Sequence, residues 1–206
     1  MIKPRILFLV GPTAVGKTEL ALKLAAKINA EIISCDSMQV YKGMDILTSK
    51  PPRQMRKKVP HHLLDVLVPS QEYNVSKYRQ EAVKKINAVV KKGGVPLFVG
   101  GSGLYMSVVI DGIFKAKTEN PKIRARLFAE AQKSGPQVLH ARLKEIDPQA
   151  AAKIHPNDAK RIIRALEVIE VTGKPMSQLQ ATRVGLGDKY EVKIAGLDMP
   201  REELNR

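Results

Sequence analysis

A glycine-rich segment near the amino end has the residue types and spacing that hold a polyphosphate. It matches the pattern G-x-x-x-x-G-K-S/T and lies between a strand pattern and a helix pattern. In such a loop the backbone N–H groups surround phosphate oxygens, and the lysine adds a full positive charge. The hydroxyl after the lysine can ligate Mg²⁺. The predicted diphosphate-binding residues are Gly11, Pro12, Thr13, Ala14, Val15, Gly16, Lys17 and Thr18.

A carboxylate follows the next strand pattern along the chain. Asp36 comes directly after the short apolar segment 31–34 and Cys35. Ligands of open α/β sheets bind outside the carboxyl ends of the strands, so we expect Asp36 to face the phosphate-binding loop. An ionised carboxylate there suits either proton acceptance or Mg²⁺ ligation through water, and both roles stay open. We interpret Cys35 as a small buried residue, because no histidine partner is indicated.

Three further segments carry weaker signals. The glycines of 100–103 permit close backbone approach at the same sheet edge, or simply a tight turn before a helix that Ser102 begins. His61 and His62 are adjacent instead of being at metal-ligand spacing, so we expect a loop there. Lys160 and Arg164 share one helix face, where repulsion between like charges favours a polyanion contact; a solvated face is the alternative.

Strands alternate with helices in the first half of the sequence. Apolar strand patterns cover 6–10, 31–34 and 95–99, and helix patterns cover 18–28 and 76–92. This alternation predicts an α/β fold with a parallel sheet, P-loop NTPase-like, flanked by helices. Strand signals are absent from the stretch that follows, which has the start and stop signals of two helices. Asn120-Pro121 begins one helix that Gly135 ends, and Asn157 or Asp158 begins another that Gly173 ends. The predicted domains are a core over 1–113, a helical insertion over 114–186, and a return strand and helix start over 187–206 that belong to the core.

Charge and composition narrow the function classes. The 206 residues include 35 basic and 20 acidic side chains, a formal net charge of +15, which favours a polyphosphate or nucleic-acid partner over a merely lysine-rich surface. No run reaches the roughly 18 apolar residues of a membrane span, and no signal peptide is indicated. One cysteine excludes an internal disulfide. We expect a cytoplasmic, monomeric protein with no membrane partner.

Five motifs in order resemble the bacterial tRNA dimethylallyltransferase (isopentenyltransferase) family. They are GPTAVGKT at 11–18, DSMQVYKGMDI at 36–46, PHHLLD at 60–65, VGGSGLY at 99–105 and IHPND at 154–158. Ordinary P-loop kinases share only the first of them. Leu47 stands where the family usually has glycine, and the family normally continues well past the position of Arg206. We therefore expect a truncated chain with impaired catalysis.

The resemblance implies transfer of a dimethylallyl group from dimethylallyl diphosphate to the exocyclic N6 amine of the adenosine 3′-adjacent to the anticodon in tRNA. The loop then holds the leaving diphosphate with Mg²⁺ on Thr18, Thr13 hydrogen-bonds the bridging oxygen, and Asp36 accepts the amine proton. The implied catalytic residues are Asp36, Thr13 and Lys17. The implied tRNA-binding residues are Asp36, Ser37, Met38, Gln39, Ser102, Arg124, Lys160, Arg161, Ile162, Ile163 and Arg164.

Two other functions share the first motif. A P-loop small-molecule or nucleoside kinase would use the loop to bind ATP. Nothing in the loop reads a base, so the loop alone leaves the identity of the polyphosphate open. A non-catalytic RNA-binding or regulatory module would have the same loop but would catalyse neither phosphoryl transfer nor prenyl transfer. Consumption of an allylic diphosphate distinguishes the transferase from both alternatives.

Overall fold

The computed structural model describes residues 3–114 and 118–204. The strands are β1 (Arg5–Val10), β2 (Ala30–Ser34), β3 (His61–His62), β4 (Val95–Gly100) and β5 (Glu191–Gly196). The helices are α1 (Lys17–Ile28), α2 (Arg53–Lys58), α3 (Val75–Lys91), α4 (Gly103–Ile110), α5 (Pro121–Ser134), α6 (Pro136–Ile146), α7 (Pro148–Ala151), α8 (Ala159–Thr172), α9 (Met176–Ala181) and α10 (Arg201–Leu204).

The chain divides into two compact units. The first contains Met1–Gly112 and Gly185–Arg206, and the second contains Ile113–Val184. These divisions lie close to the predicted boundaries at 113 and 186. Residues 115–117, at the start of the predicted insertion, and the last two residues of the predicted final helix lie outside the described residues.

The first unit is built on a parallel five-stranded sheet in the order β3-β2-β4-β1-β5. The predicted α/β class with a parallel sheet is therefore confirmed. The central strands are apolar on both faces, as strands covered by helices must be. Phe8 of β1 and Phe98 of β4 are both buried and stack with ring centroids 4.5 Å apart. The parallel register, with Val10 opposite Gly100, places the carboxyl ends of β1 and β4 side by side.

Helix α3 shows why the predicted helices form where they do. Asn74 caps it, because the side-chain oxygen accepts a hydrogen bond from the Lys77 backbone N–H at 3.0 Å. The chain leaves the helix at Gly93, where φ is 76°. The buried stripe on its inner face consists of Tyr78, Ala82, Ile86 and Val89. The spacing predicted from the sequence is thus the spacing that packs against the sheet.

The prediction of a loop at the two adjacent histidines was wrong. His61 and His62 form the edge strand β3, which pairs in parallel with β2 at Ile32 and Ile33. A strand of two residues is too short to show an alternating pattern, so its backbone pairing with β2 could not be read from the sequence.

The second unit is a helical bundle with its own core. Asn120 and Asp158 cap α5 and α8 as predicted, each accepting backbone hydrogen bonds through its side chain. The sequence indicated two helices, whereas the described part of this unit has five. The additional ones are short, and α6 and α7 begin at prolines that directly follow another helix. The core residues include Leu127, Leu139, Leu143, Ile162, Ile163 and Leu166.

The burial of Ile162 and Ile163 in that core corrects the prediction that they bind tRNA. Ile162 and Ile163 were expected to contact tRNA, but their side chains are 0% and 1% exposed. They lie on the apolar face of α8, and withdrawing them from the core would expose apolar area at a cost of about 1.5–3 kcal/mol each. Their side chains therefore stabilise the bundle and are not available to RNA.

Among the described residues, none of the helices has the length and apolar character needed to cross a membrane.

Candidate active site

A cavity of about 540 Å³ opens in the first unit at the carboxyl ends of β2 and β4. Thr13, Lys17 and Thr18 line it from the phosphate-binding loop and the start of α1, and Asp36 lines it from the end of β2. The structure therefore brings together the loop and the carboxylate that the sequence placed at one sheet edge. Parallel pairing explains the meeting, because all carboxyl ends of such a sheet point the same way.

The loop between β1 and α1 is shaped to receive an anion. Gly16 at the helix N-cap has φ 84° and, being glycine, has no side-chain oxygen that could cap the first turn of α1. The first backbone N–H groups of α1 can therefore donate to a ligand at the positive end of the helix dipole. Gly11 permits the tight turn at the start of the loop, since a Cβ atom there would lie 2.4 Å from the Leu197 carbonyl oxygen. These features suit a bound phosphate group.

Lys17 turns back over the loop. Its Nζ donates to the Gly11 carbonyl oxygen at 2.9 Å and to the Pro12 carbonyl oxygen. Burial lowers the pKa of Lys17, and the negative charge of Asp36 partly offsets that effect. Phosphate oxygens in the loop would favour the charged form of the lysine further. Lys17 is therefore positioned to neutralise a polyphosphate.

Asp36 uses one carboxylate oxygen for structure. Its Oδ1 accepts hydrogen bonds from the backbone N–H groups of Met38 at 2.8 Å and Gln39 at 3.4 Å, which makes an Asx turn. Within the described residues, no hydrogen bond is made to Oδ2, so this oxygen can receive a proton or face a hydrated cation. The turn fixes the carboxylate at the cavity wall.

The residues after Asp36 divide into exposed and internally bonded ones. Ser37 and Met38 are exposed, and Met38 lines the cavity. Gln39 accepts a hydrogen bond from Ser34 Oγ at 3.0 Å and donates one to the Thr48 carbonyl oxygen at 3.1 Å. A substrate contact by Gln39 would share or replace these bonds.

Gly100 permits the close approach expected of the glycine-rich turn. A Cβ atom there would lie 2.2 Å from the Cys35 carbonyl oxygen, which leaves room only for hydrogen. The Cys35 carbonyl also accepts the Ser102 backbone N–H at 3.0 Å. Ser102 is not among the residues that line the cavity. Burial raises the pKa of the Cys35 thiol to about 11, so this group is a packing residue and not a nucleophile.

Two of the arginines predicted to bind tRNA, Arg124 and Arg164, pair with one buried carboxylate in the second unit. Glu167 Oε2 accepts from Arg124 at 2.9 Å and from Arg164 at 2.7 Å, while Oε1 accepts the Asn120 backbone N–H at 2.8 Å. Arg164 is thus paired inside the protein, which corrects the expectation that its charge needs an external polyanion. Arg161 pairs with Asp158 at 2.7 Å.

Lys160 remains exposed on the same helix. Glu167 was missed at the sequence level, although it follows Arg164 by three residues on the apolar face of α8. An acidic residue at that spacing is the signal that would have found it.

Lys50, Met55 and Leu64 were also missed. They line the cavity together with residues of the irregular segment 47–52. Lys50 and Leu64 lie outside helices and strands, and Met55 lies in the short helix α2, so no periodic pattern in the sequence indicates that they share a cavity.

The chain is similar in sequence to one known protein family and to named members of it. The sequence model of the family described as IPP transferase matches residues 39–206. The tRNA dimethylallyltransferase of Alkaliphilus oremlandii is 43% identical over 204 residues, covering 98% of this chain and 65% of that protein. The protein of the same name from Bacillus subtilis is 45% identical over 204 residues, covering 98% and 64%.

Solved structures give the same result. The full-length tRNA isopentenylpyrophosphate transferase from Bacillus halodurans is 41% identical with a TM-score of 0.63, over 98% of this chain and 62% of that one. A eukaryotic dimethylallyltransferase acting on tRNA is 32% identical with a TM-score of 0.78, over 96% of this chain and 49% of that one. The chain therefore spans less than two thirds of the length of these proteins. By its sequence and its fold, the chain belongs to the IPP transferase family.

Proposed function

We propose that the protein transfers a dimethylallyl group from dimethylallyl diphosphate to the N6 amine of the adenosine 3′-adjacent to the anticodon in tRNA. The observation that carries the proposal is the cavity in which an anion-binding loop and the Asp36 carboxylate face the same space. A loop that binds only phosphate suits a diphosphate leaving group, and the names of the relatives support tRNA as the acceptor.

The reaction needs one bond to form and one to break. The adenine N6 bonds to the C1 carbon of the dimethylallyl group, and the bond from C1 to the diphosphate oxygen breaks. The amine is a weak nucleophile because its lone pair is delocalised into the ring, so a general base that accepts its proton helps. Asp36 Oδ2 is our candidate for that base. The N–H groups of the loop, Lys17 and the Thr13 hydroxyl stabilise the charge of the departing diphosphate.

The cavity also fits Mg²⁺. The Thr18 hydroxyl and the Asp36 carboxylate are oxygen donors at its wall, and Mg²⁺ is usually held by one or two protein oxygens with substrate phosphates and water. We propose that Thr18 holds the ion. When bound, Mg²⁺ neutralises charge on the diphosphate oxygens.

The target adenine must leave its base stack to enter the cavity, at a cost of a few kcal/mol. We propose that exposed Ser37 and Met38 meet the base at the cavity, while exposed Lys160 and Arg161 meet the RNA backbone. The formal net charge of +15 also attracts the negatively charged RNA backbone, whatever its sequence. RNA contacts by Gln39, Ser102, Arg124 and Arg164 stay predictions, as do a monomeric state, a cytoplasmic location and ATP binding.

In the deciding experiment the protein is incubated with labelled dimethylallyl diphosphate and unmodified tRNA, and the label in the RNA is measured. The Bacillus subtilis relative, assayed in parallel, shows that the conditions support transfer. We expect label in the RNA and none when the adenosine is replaced by guanosine. Transfer of the γ-phosphoryl group of ATP to a small molecule, with no consumption of the allylic diphosphate, would instead establish the kinase alternative, which the relatives do not favour.

Lys17→Met is expected to weaken pyrophosphate binding by about 30- to 150-fold, because a charge-assisted hydrogen bond contributes roughly 2–3 kcal/mol. Isothermal titration with inorganic pyrophosphate measures this without any reaction. Lys23→Met on the same helix removes an exposed charge and is the matched control. Equal affinity of the two variants would remove Lys17 from the anion site.

Affinity for tRNA is expected to fall steeply with salt, since each neutralised phosphate contributes close to one unit to the slope of log affinity against log salt concentration. Filter binding between about 50 and 200 mM salt, where several contacts lower affinity by about 10³-fold or more, measures the slope. Lys160→Gln should reduce that slope by about one unit. A flat dependence would contradict electrostatic RNA binding.

A further inference from the structure

Lys50 lines the cavity, but its side chain points into the protein and is fully buried. Its side chain is 0% exposed, and lysine is rarely buried unless its charge is paired. The ammonium group has three protons to donate. It donates to Asp65 Oδ1 at 2.7 Å and to the Tyr41 carbonyl oxygen, and it lies 3.1 Å from Asp45 Oδ1. The buried ammonium group therefore has two hydrogen-bond acceptors and two carboxylate counter-charges.

A second cation completes the network. Arg56 donates to Asp65 Oδ2 at 2.6 Å and to the Pro51 carbonyl oxygen at 2.6 Å. Burial alone would raise the pKa of Asp65, but the hydrogen bonds from Lys50 and Arg56 outweigh it and lower that pKa. Two cations thus meet two carboxylates, and the network carries no net charge.

The segment that Lys50 holds supplies much of the cavity wall. Residues 42–52 contain turns but no strand or helix, so no ladder of backbone hydrogen bonds fixes their shape. Leu47, Thr48 and Ser49 of this segment line the cavity. The Thr48 carbonyl oxygen also accepts the hydrogen bond that orients the Gln39 side chain. Movement of this segment would therefore change the wall and release Gln39.

The two ends of the segment are attached differently. At the first end, Tyr41 pairs with Leu67 in an isolated parallel bridge, and the Lys42 N–H donates to the Leu67 carbonyl oxygen at 2.8 Å. Lys50 ties the other end to Tyr41 and Asp65. Loss of the lysine side chain leaves that end held by single hydrogen bonds, from Arg56 to the Pro51 carbonyl oxygen and from Gln39 to the Thr48 carbonyl oxygen, so we expect it to move more.

We propose that Lys50 is a positioning residue for prenyl transfer: through its hydrogen bonds to Tyr41 and Asp65 and its ion pair with Asp45 it holds the segment 42–49 in the shape that aligns the acceptor base with Asp36. This inference rests on the proposed function. The lysine does not touch the substrate, and its effect passes through the cavity wall. A wall displaced by about 1 Å is enough to slow a reaction by roughly 10²-fold.

The test compares Lys50→Met with Lys42→Met. Both changes remove a lysine charge from the same segment, but the Lys42 residue is exposed. With saturating tRNA, we expect Lys50→Met to lower kcat by about 10²-fold while KM for dimethylallyl diphosphate changes little, because the phosphate-binding loop is held separately. Lys42→Met should retain kcat. Equal kcat values for the two variants, or a loss confined to KM for the donor, would overturn the proposal.

A second variant separates positioning from folding. Lys50→Met leaves one cation, Arg56, for the two carboxylates of the network. In Lys50→Met/Asp65→Asn one carboxylate is removed as well, so the charges balance again and the cost of an excess negative charge is relieved. We expect this variant to unfold at a higher temperature than Lys50→Met and still to show the low kcat. Recovery of kcat in the double variant would mean that Lys50 acts only on stability.

Amide hydrogen exchange tests the same proposal without any ligand. Residues 42–49 should exchange faster in Lys50→Met than in the parent chain, with α1 unchanged. Unchanged exchange in 42–49 would overturn the positioning role. Absence of prenyl transfer by the parent chain would instead count against the proposed function, so the two failures are distinguishable.

Discussion

Replacing Asp36 with asparagine is expected to slow prenyl transfer by about 10²–10⁴-fold, the usual contribution of a general base. Asparagine keeps the Oδ1 acceptor for the Met38 and Gln39 backbone N–H groups, so the Asx turn should survive. What it loses is the basic oxygen that can take the amine proton. Because the phosphate-binding loop is a separate segment, pyrophosphate affinity should change little.

Single-turnover transfer to tRNA measures the chemical step, and titration with pyrophosphate measures the loop. Asp111→Asn is the control, since this exposed carboxylate accepts a hydrogen bond from Ser107 within its own helix and does not line the cavity. It should transfer at the parent rate. A fully active Asp36→Asn variant would show that another group accepts the proton.

Replacing Glu167 with glutamine is expected to destabilise the second unit by about 2–3 kcal/mol, below the roughly 3–5 kcal/mol of a wholly buried ion pair, because the two arginine partners are 45% and 37% exposed. The Glu167 side chain is 0% exposed and accepts hydrogen bonds from Arg124, Arg164 and the Asn120 N–H. A neutral amide would leave two guanidinium groups without a counter-charge and would direct N–H donors at one of them. Urea unfolding followed by far-UV circular dichroism measures the change.

The same helix offers a matched control. Glu170 also pairs with two arginines, Arg126 and Arg142, but its side chain is 30% exposed. Because water screens such pairs, Glu170→Gln should cost less than about 1 kcal/mol. Similar losses for the two glutamates would show that burial does not set the value of the Glu167 cluster.

The pH dependence of the Glu167 effect has a definite sign. Burial alone would raise the pKa of Glu167, but hydrogen bonds from Asn120, Arg124 and Arg164 outweigh it and lower that pKa. A lowered pKa in the folded state stabilises the fold at pH values above the unfolded value, about 4.3, and this contribution is lost as pH falls through the folded value. The difference between the parent and Glu167→Gln should therefore be constant near neutral pH and shrink in acid.

Local patterns in the sequence determined the sheet class, the phosphate-binding loop and most helix ends. Strand β1 and helix α1 on either side of the loop are continuous segments with clear periodicity, so the phosphate site follows from residues close together in the chain. Asn74, Asn120 and Asp158 cap helices through bonds to backbone groups two or three residues away. Interactions of such short range are readable from spacing alone.

The tertiary structure decided the partners of the charged side chains and the walls of the cavity. Lys50 meets Asp65, and Arg124 meets Glu167, across 15 and 43 residues of sequence. Before folding, every basic residue has many acidic residues within reach of the chain, and the choice among them depends on which elements pack together. The sequence could place Asp36 and the loop at one sheet edge, because parallel strands end on the same side, while only the folded chain showed that Lys50, Met55 and Leu64 line the same cavity.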